Sequence, residues 1–271
     1  MTILDEIFAH KREEVAARRR TRPLELVRAE AEAAVQPLDF AAALRRAAQT
    51  APALIAEVKH ASPSRGVLVK EFDPLRLAQI YAENGAAAIS VLTDERYFQG
   101  HLRYLEQIRA LLPERPLLRK DFIFDPYQVY EARAAGADAV LLIAAHLEPA
   151  LLRDLHALVQ SLKMAALVEI HNRQELDAVL PVSSQVIGIN NRNLHDFTLR
   201  LETTLDLRPL VPPQVCVVAE SGIHAPEDIA RLAQARVDAI LVGEGLVTAP
   251  DVATQVRRFA GRLQPVPHRA S

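Results

Sequence analysis

Five residues carry the chemistry this sequence could perform. Glu57 and Lys59 stand at the end of one short apolar run, 53–59. Lys120 directly follows a second, 116–119; Glu169 lies near the end of a third, 165–170; Asn190 closes a fourth, 186–190. If these runs are β-strands, Glu57 and Lys59 are two residues apart and point to the same face. Acids and lysines gathered at one place shift each other's pKa values, as proton transfer to and from a substrate requires. At any single position a structural ion pair or a solvated polar rim explains the residue equally well. That explanation weakens when the five occur together.

Two glycine turns add a second signal. Ala219-Glu220-Ser221-Gly222-Ile223 follows the run 215–219, and Val242-Gly243-Glu244-Gly245-Leu246 follows 239–242. Glycine lets a backbone approach a ligand closely. A short helix at 244–247 would aim free N–H groups at the same space, a common way to hold phosphate. Ser221, Gly222, Gly243 and Glu244 are therefore candidate phosphate-binding residues. The plain alternative is a pair of ordinary tight turns.

These residues need a scaffold that brings strand ends together. Strand candidates fall at 53–59, 88–92, 116–119, 139–143, 165–170, 186–190, 215–219 and 239–242. Helix candidates lie between and after them, near 74–84, 102–111, 126–135, 149–161, 172–180, 203–209, 225–234 and 250–262. Asp73-Pro74 and Asp125-Pro126 are helix starts with proline in the first turn. Gly85 and Gly136 look like helix stops. Eight strand–helix units imply parallel strands with right-handed crossovers, and eight is the number that closes a (βα)₈ TIM barrel. An open doubly wound sheet that bound a dinucleotide would show a glycine-rich turn after its first strand. Here that strand runs into His60-Ala61-Ser62-Pro63-Ser64-Arg65-Gly66 instead. Residues 1–50 read as helical, broken at Pro23 and Pro37. They are expected to form an N-terminal helical extension packed on the barrel, within a single domain spanning 1–271.

Composition excludes several other classes. The net charge is −2 over 271 residues, which gives no reason to expect nucleic-acid or anionic-membrane binding. The basic cluster Lys11, Arg12, Arg18, Arg19 and Arg20 is interleaved with Glu13 and Glu14, so it reads as a solvated helix face. Cys216 is the only cysteine and sits in an apolar run, which excludes a disulfide framework and favours a buried core residue. Residues 1–8 are too polar for a signal peptide, and no apolar run suffices to span a bilayer. A reducing cytoplasm is the expected location.

The same segments resemble indole-3-glycerol-phosphate synthase of tryptophan biosynthesis over nearly the whole chain. Ile3-Leu4-Asp5-Glu6-Ile7 and Lys11-Arg12-Glu13-Glu14 resemble its N-terminal opening. Ile55-Ala56-Glu57-Val58-Lys59 with Ser62-Pro63-Ser64 is similar to its most specific motif. Leu92-Thr93-Asp94, Tyr97-Phe98-Gln99-Gly100, Arg119-Lys120-Asp121-Phe122-Ile123, Val168-Glu169-Ile170-His171 and Ile187-Gly188-Ile189-Asn190-Asn191-Arg192-Asn193-Leu194 follow in order. The two glycine turns complete the set. Gly245 departs from the serine that many members carry there, which bears on one contact near the phosphate. A fused isomerase domain, found in some relatives, is not expected here.

The resemblance implies a reaction. 1-(2-carboxyphenylamino)-1-deoxyribulose 5-phosphate closes a ring, then loses CO₂ and water, giving indole-3-glycerol phosphate without cofactor or metal. It implies Lys120 as the acid that protonates the ketone, and Glu169 as partner of the anilino nitrogen and base in the dehydration half. Lys59 is expected to hold an anionic side of the substrate and is a second candidate proton donor; which lysine serves which step stays open. Glu57 and Asn190 are expected to orient sugar hydroxyls and the lysines. Arg192 and Ser221 are expected to place the substrate. Phe98, Phe122, Leu141 and Leu194 are expected to form an apolar slot for the aromatic ring, with Ser62 and Arg65 on a loop over the site. The phosphorylated small molecule is the expected partner, with transient contact to other tryptophan-pathway enzymes a further open expectation. Three rivals remain at this point. A phosphoribosylanthranilate isomerase-like barrel would want a cysteine on the first strand and an aspartate on the sixth. A Schiff-base aldolase would use a barrel lysine as nucleophile. A non-catalytic pathway subunit would be expected to lose the charged residues of the mouth.

Overall fold

A computed structural model describes residues 3–45, 51–193 and 196–262. Eight parallel strands close into a barrel in sequence order. They are β1 (Ala53–Val58), β2 (Ala88–Leu92), β3 (Leu117–Lys120), β4 (Ala139–Ile143), β5 (Ala165–Ile170), β6 (Val186–Asn190), β7 (Cys216–Glu220) and β8 (Ala239–Val242). Helices α1 (Ile3–Thr21), α2 (Leu24–Ala33) and α3 (Phe40–Leu44) precede the barrel. Outer helices α4 (Pro74–Asn84), α5 (Leu102–Leu111), α6 (Pro126–Ala134), α7 (Pro149–Ser161), α8 (Arg173–Val179), α9 (Glu202–Leu207) and α10 (Pro226–Gln234) follow the first seven strands. The short α11 (Glu244–Val247) and then α12 (Val252–Phe259) follow β8. Among the described residues no helix is long and apolar enough to cross a membrane.

Local signals set these boundaries. Asp73 and Asp125 accept hydrogen bonds from the first turns of α4 and α6, each with proline in the first turn. Gly85 ends α4 at φ 114°, in the left-handed region that glycine tolerates. Two strands start and end one residue later than the sequence suggests. Strand β3 carries Lys120 and β7 carries Glu220, each as its last residue rather than as loop. The shift matters because it puts both side chains in the alternation of their strands.

That alternation fills the barrel in layers. Ala88, Ala139, Val186 and Ala239 from the even strands lie low in the interior; Ile55, Leu118, Leu167 and Val218 from the odd strands form the next layer. Leu141 and Leu241 continue upward beside Gly188. Phe40, Ala41 and Leu44 of α3 pack into the same cluster. Cys216 belongs to it as well, buried and free, with its thiol pushed up to about 12 mainly by burial. A second and larger apolar cluster joins the outer strand faces to the helices.

Helix α1 corrects the reading of the basic cluster as a solvated face. Arg12, Arg19 and Arg20 are exposed, but Lys11 is 1% exposed. Its ammonium contacts Glu14 at 2.9 Å, Asp94 at 2.9 Å and Asp121 at 3.1 Å. Burial works against that charge, yet the three carboxylates outweigh it and raise the lysine's pKa. Arg119, fully buried, extends the network to Asp121 and Glu131, and Arg18 of α1 reaches Glu131. An i,i+3 charge pattern looks the same on a solvated helix as on one docked over carboxylates, so the sequence alone misassigned it. Removing one member of a buried pair leaves its partners uncompensated, at about 3–5 kcal/mol. Lys11→Met should therefore lower the urea midpoint by a clearly measurable amount. A midpoint equal to that of the parent would show that α1 is not anchored through this lysine.

Candidate active site

The third interior layer from the odd strands is charged. Glu57 from β1, Lys120 from β3, Glu169 from β5 and Glu220 from β7 all face the pocket at the C-terminal mouth. Each stands two residues beyond an apolar residue of the layer below, Ile55, Leu118, Leu167 and Val218, so strand alternation alone aims it inward. Lys120 Nζ contacts Glu220 Oε2 at 2.9 Å and Glu169 Oε2 at 3.4 Å. Lys59 Nζ lies 3.4 Å from Glu57 Oε1 and 5.7 Å from the Phe98 ring centroid. Asn190 favours the ionised form of Glu169 and accepts a hydrogen bond from the Arg192 backbone N–H at 3.0 Å. Glu169 and Lys120 come from alternate strands and so share a layer. The two are in direct contact at 3.4 Å.

Glu220 is a charged member of this layer that the sequence does not assign to the site, because it follows the run 215–219 and falls in a turn that reads as phosphate-binding. A period-2 count from Cys216 and Val218 would have found it. Two glycines make room for this layer. A Cβ at Gly188 would fall well inside van der Waals contact with Glu220 Oε1, and one at Gly243 would do the same with Glu57 Oε1. Gly243 therefore has a role besides any ligand contact, and substituting it would disturb Glu57 as well as a bound anion.

The electrostatics divide the carboxylates. Burial raises the pKa of Glu169, but Lys120, His171 and Asn190 together hold it well below the usual carboxylate range. Glu220 is raised to about 7, first by burial, which together with the nearby Glu169 and Glu57 charges outweighs the pull of Lys120. Glu169 and Glu220 share Lys120 and repel each other, so they titrate together, with the ionised form favoured at Glu169 and disfavoured at Glu220. Lys120 is raised above the ordinary lysine value: burial opposes its charge, and Glu220, Glu169 and Glu57 restore it. The layer thus holds a cationic acid beside an ionised base, the opposed pair that acid–base chemistry at neutral pH needs.

Apolar side chains line one side of the pocket. Phe98 and Phe122 stand 5.9 Å apart between ring centroids, and Leu141 lies beside them in the lining. Ile3, Leu4 and Ile7 of α1 also line it, as do Leu92, Ile143, Phe197 and Leu241; none of these was assigned to the site from sequence. Phe8 packs edge-on against Phe122 at 5.6 Å, which ties α1 to the aromatic side of the pocket. Leu194 lies outside the described residues. Arg192, Ser62, Ser221, Gly222, Gly243 and Glu244 all line the pocket. Ser221 and Gly222 both take left-handed backbone, at φ 63° and 70°. The buried Asn191 holds that turn by donating to the Ser221 carbonyl at 3.0 Å. Arg65 reaches Glu244 at 3.2 Å, which ties the loop after β1 to the loop after β8. Ser62 is buried with its hydroxyl unpartnered among the described residues.

Proton transfer at the C-terminal mouth of a (βα)₈ barrel is the class to which fold and site assign this chain. A crystal structure of 3-hexulose-6-phosphate synthase from Salmonella typhimurium superposes with a TM-score of 0.64, covering 77% of this chain and 97% of that one at 11% identity, a likeness of fold alone. The sequence is more specific. The family model for indole-3-glycerol phosphate synthase matches residues 4–259. A relative named indole-3-glycerol phosphate synthase from Roseiflexus castenholzii is 56% identical over 97% of this chain and 99% of its own. Another of that name, from Albidiferax ferrireducens, is 52% identical over 92% and 94%. The chain belongs to the indole-3-glycerol phosphate synthase family.

Proposed function

We propose an assignment of roles within the reaction of this family. The chain is a carboxy-lyase that closes the indole ring of 1-(2-carboxyphenylamino)-1-deoxyribulose 5-phosphate, releasing CO₂ and water to give indole-3-glycerol phosphate. The observation that carries the assignment is Lys120 held between Glu169 and Glu220, at the foot of a pocket with an aromatic side. In ring closure the carboxylate-bearing ring carbon attacks the ketone carbon. The ketone oxygen becomes a hydroxyl by taking the Lys120 proton, and an ammonium beside the developing alkoxide stabilises it. Loss of CO₂ then restores the aromatic ring. In dehydration the hydroxyl departs as water, and Glu169 takes the proton released from the new ring. Glu220 holds Lys120 in place. Lys59, paired with Glu57, is the second candidate donor for the departing hydroxyl, and Asn190 orients Glu169.

Phe98, Phe122 and Leu141 form the slot for the anthranilate ring, with Leu194 assigned there by resemblance. Ser62 and Arg192 contact the polar parts of the substrate. The phosphate sits at Ser221, Gly222, Gly243 and Glu244, where backbone donors rather than the Glu244 carboxylate meet it. The charge of that carboxylate is offset by Arg65. Hydrogen bonds to a charged group are worth about 1.5–3 kcal/mol each, so two of them amount to roughly a hundredfold or more in kcat/KM. The dephosphorylated substrate should therefore react at least that much more slowly at limiting concentration, chiefly through KM. Equal kcat/KM for the two substrates would remove the phosphate from this site.

The helices of 1–50 and the barrel are proposed to work as one domain spanning 1–271, since α1 supplies part of the pocket lining. The single buried cysteine suits the cytoplasm. Transient contact with other tryptophan-pathway enzymes is proposed on the resemblance alone.

A further inference from the structure

Behind Glu169, outside the pocket lining, stands His171. It follows β5 directly, and its side chain is 10% exposed. Its Nε2 lies 3.3 Å from Glu169 Oε1, while Lys120 takes the other oxygen of the same carboxylate. Its Nδ1 lies 3.1 Å from Glu175 Oε2. Glu175 is itself fixed. Its Oε2 accepts the His171 backbone N–H at 2.8 Å and its Oε1 accepts Asn172 Nδ2 at 2.6 Å, while Asn172 caps α8 through the Glu175 backbone N–H.

An ionised carboxylate only accepts hydrogen bonds, and a neutral imidazole has a single N–H. A neutral ring between two carboxylates would turn a lone pair on one of them. Only the doubly protonated ring turns an N–H on both: Nδ1 hydrogen-bonds Glu175, and Nε2 meets Glu169 as an ion-pair contact at 3.3 Å outside hydrogen-bond geometry.

We propose that His171 is a positioning residue: a charged imidazolium, anchored by Glu175, that fixes Glu169 and keeps its carboxylate ionised for its work as base. The proposal rests on the reading of Glu169 as that base. The ring's pKa is raised to about 10; burial opposes its charge, and the two glutamates more than offset that. Facing Glu169 are also Lys120 from β3, the amide of Asn190 from β6 and the carboxyl of Glu220 from β7. His146, on the turn that packs against β5, is engaged elsewhere, with Asp5 and the Phe8 ring. Two cations therefore hold Glu169. One of them, Lys120, gives up its proton during ring closure and with it its charge. At that moment His171 is the remaining full positive charge in contact with Glu169, and it favours the ionised carboxylate that must later take the substrate proton.

The test pairs a pH–rate profile with a direct titration. A cation in contact lowers a carboxylate's pKa by roughly one to three units, so in His171→Asn the acidic limb of kcat should move up by about one unit or more. Misplacement of Glu169 should lower kcat by about tenfold, with KM changed far less. A loss of packing alone would lower kcat without moving the limb. In the wild-type protein, the ¹⁵N signals of the His171 ring, assigned by difference from the variant, should stay doubly protonated beyond about pH 8, above the ordinary histidine range. A neutral ring at pH 7, or an unshifted profile in the variant, overturns the proposal. Should His171→Asn not fold, His171→Gln takes its place and the wild-type titration still decides the charge. If the wild-type protein fails to turn over substrate, the reading of Glu169 as base fails, while the titration judges His171 independently.

Discussion

Lys120→Ala should lower kcat by several powers of ten while leaving substrate affinity within an order of magnitude. General acid catalysis contributes about 10²–10⁴-fold, and loss of a positive charge facing a developing alkoxide adds to that. The geometry favours an acid over a nucleophile. A lysine that forms a Schiff base needs a lowered pKa so that its amine is free. Lys120 is raised instead, held as ammonium by Glu220 at 2.9 Å and Glu169 at 3.4 Å. Borohydride in the presence of a ketose phosphate should accordingly trap no adduct. The alanine variant leaves three glutamates without their lysine, but a carboxyl can take up a proton, and Glu220 is already raised to about 7. Circular dichroism should show the variant folded. Turnover within tenfold of the parent would remove Lys120 from the acid role.

Glu169→Gln should also abolish most turnover, by about 10²–10⁴-fold, at nearly unchanged KM. Glutamine keeps the shape and can still accept a hydrogen bond from Lys120, so geometry is retained while basicity is lost. The pH dependence separates the two glutamates. Glu169 is depressed, so it is ionised and competent above the ordinary carboxylate range and becomes protonated only as the pH falls well below that range. Any acidic limb it contributes lies at low pH and should vanish in the variant. Glu220 is raised to about 7 in part by the Glu169 charge, so its transition should move down in the variant rather than vanish. If Glu169 merely anchors Lys120, the glutamine variant will keep substantial activity and its low-pH limb. The base would then be sought at Glu57, which is paired with Lys59.

Much of this was legible in the sequence, for reasons particular residues make clear. Buried parallel strands are near-continuous apolar runs, so five of the eight strands have the bounds read from periodicity, and the other three differ by one residue at one or both ends. Those single residues mattered. Ending β7 at Ala219 hid Glu220, and ending β3 at Arg119 left Lys120 in a loop. Lys11 was misread because burial of a helix lysine depends on Asp94 and Asp121, more than eighty residues away in sequence. Residues 1–50 read as helical, but nothing local says that Ile3, Leu4 and Ile7 lie over a pocket built from strands further along the chain. Gly243 reads from the sequence as a phosphate-binding residue, and the structure adds the space it leaves for Glu57. The sequence assigns His171 no role, since its two carboxylate partners meet it only once the β5–α8 turn is folded.

The central claim is that this pocket closes an indole ring by proton transfer between its own side chains. The purified protein, mixed with 1-(2-carboxyphenylamino)-1-deoxyribulose 5-phosphate, should develop indole fluorescence with one CO₂ released per indole formed. The signal should be unchanged after exhaustive dialysis against a chelator. A folded, substrate-binding protein that produces neither fluorescence nor CO₂ would contradict the account.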